Sequence, residues 1–208
     1  METVNSQIID LQQRRLERQP QVVRLAPELD GHGALLNIGF GPSELIPHPI
    51  LAWALNEDDS CVGMILHCGT LAPVTQFATR FQGYTDPELS QLSRKPPPFV
   101  RLGLCAARDH FDATHPIQCP DMAELSAAFL TGDEWMFKRL QMWHVKRGEI
   151  VPMVDVEQRG NDGPRSVRVD ARRFQGFAGL VRSEQVSQLR AGAPIQYDFF
   201  GLLAHHRN

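Results

Sequence analysis

Residues 105–148 read CAARDHFDATHPIQCPDMAELSAAFLTGDEWMFKRLQMWHVKRG. How this stretch is interpreted decides the fold class, because the text on either side is easier to assign to strands and loops. Asp121 follows Pro120 and precedes Glu124 by three residues, which is capping-box spacing. From there Leu125, Phe129, Met136, Leu140 and Trp143 recur at steps of four, seven, four and three, the rhythm of one helical face. The step of seven spans Gly132, and Thr131-Gly132-Asp133-Glu134 is a second capping box. The pattern predicts two helices, about 121–130 and 132–146. Lys146 and Arg147 suit the negative end of the second helix, and Gly148 suits its C′ position.

The loop before these segments concentrates metal-ligand residue types. Cys105, Asp109, His110, Asp112, His115 and Cys119 fall within fifteen residues. Thiolate, imidazole and carboxylate are the usual donors to zinc or iron. The spacing C-x4-H-x4-H-x3-C differs from that of standard structural sites, which show a C-x2-C pair. Cys105 also ends the apolar run FVRLGLC, so the competing reading is a thiol buried in a strand beside a polar loop.

Working outward, ILAWAL and CVGMILH flank the acidic turn Asn56–Ser60, a hairpin whose unbroken apolar arms suit the middle of a sheet. QVVRL (21–25) and ALLNIGF (34–40) are strand-like around the turn-rich PELDGHG. The glycines of Gly39–Glu44 lack the pattern of a dinucleotide or P-loop site and are read as a turn. EIVPMVDVEQ (149–158) and RSVRVDARRF (165–174) form a second hairpin, in which Asp155 is expected opposite Arg168 as an ion pair. SEQVSQLR (183–190) is a short helix stopped near Gly192, PIQYDFFGLL (194–203) a closing strand, and residues 6–18 a thinly apolar surface helix.

The 208 residues carry 21 Lys and Arg against 24 Asp and Glu, a net charge of −3, which offers no global case for nucleic acid or an anionic membrane. No apolar run approaches a membrane span, and the polar N-terminus lacks the apolar core of a signal peptide. Four cysteines without paired spacing point to free thiols and a cytoplasmic location.

These observations predict an α+β fold: antiparallel hairpins in one or two small sheets, with the helix pair 121–146 packed on one face. The chain is expected to form a single domain over 1–208, with a boundary between two lobes near 94–99, at Pro96–Pro98. Three functions are compatible with the residues. The first is a soluble, non-catalytic component of a protein assembly, its partner another subunit or a second copy. Its contacts would include Trp135, Arg139 and Trp143, residue types that favour interfaces. The second is a zinc- or iron-dependent enzyme using Cys105, His110, His115 and Cys119, with Asp109, Asp112 or His67 completing the site. The third is a nucleic-acid-binding subunit using Arg147, Arg159, Arg165 and Arg168. Those arginines belong to residues 138–173, where nine Lys and Arg outnumber five Asp and Glu.

Overall fold

A computed structural model describes residues 20–37, 45–109, 117–160 and 163–192. The protein is built from antiparallel strands, and within 121–146 the segments Ser126–Thr131 and Glu134–Lys146 are strands too. This corrects the α+β expectation with its helix pair.

Three sheets carry the fold. The first has the order β1 (Val22–Pro27), β4 (Ala52–Asn56), β5 (Cys61–His67), β6 (Thr70–Pro73). The ILAWAL/CVGMILH hairpin lies at its centre, and every residue of β4 is buried, as its unbroken apolar run implies. The second has the order β3 (Leu45–Pro49), β2 (Gly33–Asn37), β7 (Phe81–Thr85), β8 (Leu92–Ser93). The third has the order β13 (Gly163–Asp170), β12 (Glu149–Gly160), β11 (Glu134–Lys146), β10 (Ser126–Thr131), β14 (Phe177–Val181), with β9 (Ile117–Pro120) also paired to β11. One continuous core, including Trp53, Met64, Leu140, Trp143 and Leu180, draws on all three.

The physical reason for the correction lies in the turns and in one bulge. Thr131 faces Glu134, so Gly132-Asp133 is a two-residue hairpin loop, with Gly132 first at φ +62°. Lys146 faces Glu149, and Arg147 (φ +52°) and Gly148 (φ +77°) make a loop with both central residues left-handed. Both loops use residues that serve equally well at helix ends. Leu140 and Trp143, three apart, both enter the core because Gln141 is an extra residue: Leu140 pairs with Val154 while Met142 pairs with the very next partner, Met153. A bulge of this kind reverses the facing of the strand and reproduces helical spacing. Asp121 does cap backbone amides, accepting from Ala123 (3.2 Å) and Leu125 (2.7 Å), but the segment it organises is the turn into β10.

Two helices lie among the described residues. α1 (Pro98–Asp109) contains the FVRLGLC run, which was expected as a strand; it buries Leu104 and exposes Phe99 and Leu102. Pro98 is its first residue, a position where a missing N–H costs nothing. α2 (Ser183–Arg190) matches the sequence expectation. It covers the outer face of the third sheet, where Leu189 and Val186 meet Ala128, Val181, Trp135 and Phe137. Burial on both faces of β10 explains why Ala127, Ala128 and Phe129 are consecutive buried residues. Neither described helix is long and apolar enough to cross a membrane. The expected helix over 6–18, the turn at 39–44 and the strand over 194–203 lie wholly or mostly outside the described residues.

Candidate functional site

The β11–β12 turn puts Lys146, Arg147 and Glu149 at one edge of the third sheet, and the register of β12 with β13 brings Arg168 and Asp170 alongside. The 3-10 turn after β13 adds Arg172 and Arg173. Together with His144 these groups line a cleft of about 510 Å³ holding five cations and two carboxylates.

Part of that charge is internally matched. Arg172 donates to Glu149 (2.6 Å) and to both oxygens of Asp170 (3.1 Å each), and these hydrogen bonds hold its guanidinium firmly protonated. Arg168 pairs with Asp155 at 3.2 Å, as the hairpin register predicts. Lys146 and Arg147 make no ion pair with any described residue. The Nε2 of His144 is buried without a hydrogen-bond partner among the described residues. Burial, and then the Arg168 charge, pull the His144 pKa below its ordinary value, so the ring is neutral at physiological pH.

Arg147, Glu149 and Arg172 are shared with a second cleft, of about 950 Å³, between the first and third sheets. Its lining is mixed: Val62 and Met64 from β5, Leu71 from β6, Ile150 from β12 and Phe177 from β14 stand with the polar Asn56, Ser60 and Thr70. Trp143, Ile150 and Pro152 line this second cleft and His144, Val151 and Met153 the cationic one, so the two lie on opposite faces of the β11–β12 hairpin and meet only around its turn.

The residues singled out from sequence are distributed otherwise. Arg147 and Arg168 line the cationic cleft, while Arg159 and Arg165 stand exposed toward the far end of the β12–β13 hairpin. Trp143 is only 2% exposed and belongs to the core. Trp135 is half-buried and stacks on Phe137 with centroids 6.2 Å apart, and Arg139 is a surface residue paired with Glu124 at 3.4 Å. Cys119 is buried on β9 opposite Trp143, and burial, with the Asp121 charge, pushes its thiol up to about 12. Cys105 is half-buried on α1, close enough to Cys61 for the two to act on each other electrostatically. Burial is the main cause that takes the Cys61 thiol up to about 11. His110, Asp112 and His115 lie outside the described residues, as does the side chain of Asp109. His67 packs on Phe77 and touches the exposed Cys68 at 3.6 Å.

One constellation had no sequence signal beyond a turn. Within PELDGHG, Glu28 accepts from the amides of Asp30 (2.7 Å) and His32 (3.1 Å), from His32 Nδ1 (3.0 Å) and from the Trp53 indole. Donor atoms of Glu28, Asp30 and His32 all lie within 4.8 Å of one another. The Glu28 carboxylate is already committed to four donors, and its role there is to fasten the β1–β2 loop to Trp53. The loop also borders a third cleft, of about 430 Å³, opposite Arg182, Ser183 and Glu184 at the start of α2.

No protein-family model matches the chain, and no curated protein or solved structure matches it either.

Proposed function

We propose that this protein is a non-catalytic component of a protein assembly, and that it takes an acidic segment of a partner protein into the cationic cleft at the β11–β12 turn. The observation that carries this reading is the cationic cleft itself, in which five cations outnumber two carboxylates beside the apolar Val151, Met153 and Val169. A peptide with carboxylates beside apolar side chains satisfies both features at once. Lys146 and Arg147, which make no ion pair with any described residue, supply the charge, and the three apolar side chains supply burial. The raised pKa values of Cys61 and Cys119 favour a structural over a nucleophilic role for these thiols.

The same arginines suit a phosphate backbone. Two features favour a protein partner instead: the carboxylates Glu149 and Asp170 sit among the cations, and the overall charge is −3. A labelled peptide of alternating Leu and Glu and a random single-stranded oligonucleotide of similar length separate the two. The expected result is saturable peptide binding, weakened about tenfold in Lys146→Glu/Arg147→Glu, since the two cations it removes pair with no described residue. Preferential, steeply salt-dependent binding of the oligonucleotide overturns the protein-partner reading in favour of nucleic acid. Peptide binding indifferent to the double substitution places the contact elsewhere and also overturns it.

A further inference from the structure

The cleft at the start of α2 contains an arginine that forms no ion pair within 4.0 Å of any described residue. Arg182 sits between the buried end of β14 and the first turn of α2, is half-buried, and lines this cavity of about 430 Å³. Its guanidinium makes no hydrogen bond or ion pair with any described residue. Burial depresses its pKa, the signature of a cation removed from water without full compensation, and the only opposing influence is the nearby charge of Glu184.

The other charged groups of the cleft are not equivalent. Glu28 is occupied by its four donors, and Glu124 is paired with Arg139. Glu184 is exposed and makes no ion pair within 4.0 Å with any described residue, not even with Arg182. Among the described residues the cavity therefore offers one cation and one carboxylate without an ion pair, two residues apart in sequence. Ile50, Leu51 and Met122 supply apolar wall between the sheets.

From this arrangement we infer that the cleft binds a small zwitterion of the free amino acid class, with its carboxylate on Arg182, its ammonium on Glu184 and an apolar side chain against Ile50, Leu51 and Met122. Arginine presents paired N–H donors that match a carboxylate, and a cation and a carboxylate lining one cavity favour ligands carrying both charges. The volume suits a ligand of this size. The site is separate from the cleft proposed to take a partner segment and does not depend on that reading.

Isothermal titration with L-leucine tests it, with leucinamide and N-acetyl-leucine as probes lacking one charge each. Leucine is expected to bind one per chain, and each single-charge analogue at least about tenfold more weakly. Arg182→Gln should abolish leucine binding, while Arg182→Lys, which keeps the charge and guards against a folding defect, should retain part of it. Glu184→Gln should weaken leucine and leave N-acetyl-leucine unchanged. Absence of leucine binding at millimolar concentration overturns the proposal. So does N-acetyl-leucine binding as tightly as leucine, or binding that Arg182→Gln leaves intact while far-UV circular dichroism shows a native fold.

Discussion

The Tyr84 hydroxyl accepts a hydrogen bond from the backbone N–H of Gly63 at 3.0 Å, tying β7 of the second sheet to β5 of the first through the core. A Cβ on Gly63 would lie 2.8 Å from the Tyr84 ring and 2.6 Å from Ile50, so the pair is in direct contact as well as hydrogen-bonded. Tyr84→Phe leaves a buried amide without its partner and should cost about 1–3 kcal/mol. Gly63→Ala overpacks the same junction and should cost about 1–3 kcal/mol. Urea unfolding midpoints measure both. An unchanged midpoint in either variant would mean the junction relaxes without loss.

The Gln141 bulge makes a sharper prediction. Removing this one residue leaves Leu140 and Trp143 two apart on a regularly alternating strand, where both still face the core. The deletion variant should keep a cooperative urea transition and the fluorescence of a buried Trp143. Loss of either would show that the bulge itself is needed to seat β11.

Thiol reactivity should follow burial. Cys68 is exposed on the β5–β6 turn, whereas Cys61 and Cys119 are held protonated at neutral pH, with pKa values of about 11 and about 12. A disulfide reagent at pH 8 should modify Cys68 first, and Cys68→Ser should remove the fast phase. Peptide mapping that finds Cys119 modified first would contradict its placement in the core.

Glu28 gives a pH signature with a definite sign. Burial alone would raise its pKa, but donation from His32, Trp53 and the amides of His32 and Asp30 outweighs burial and takes it below the ordinary 4.5. A depressed carboxylate contributes stability that is complete above the unfolded value and is lost as pH falls through the folded one. The melting-temperature difference between the native protein and Glu28→Gln should therefore be flat above about pH 5 and shrink as the pH falls below it. A difference that stays constant through this acid range would remove Glu28 from the account.

By itself, the sequence determined the hairpin arms at 52–67 and 149–170, the helix at 183–190 and the Asp155–Arg168 pair. In each of these, local pattern and final environment agree: an unbroken apolar run for a strand buried on both faces, alternation for an exposed arm, a polar segment ending near glycine for a surface helix. Only the tertiary structure decided 121–146. Gly132, Arg147 and Gly148 adopt left-handed backbone that ends a helix or turns a hairpin equally well, and the Gln141 bulge imitates helical spacing. Choosing between the two required the partner strands β9, β12 and β14, which lie elsewhere in the chain. The candidate sites divide in the same way. The arginines of 147–173 were visible as a local charge excess, but their gathering around Val151, Met153 and Val169 depends on the pairing of β11, β12 and β13. The Arg182 cleft had no sequence signature, because its charges stand out only once the carboxylates of Glu28 and Glu124 have found other partners.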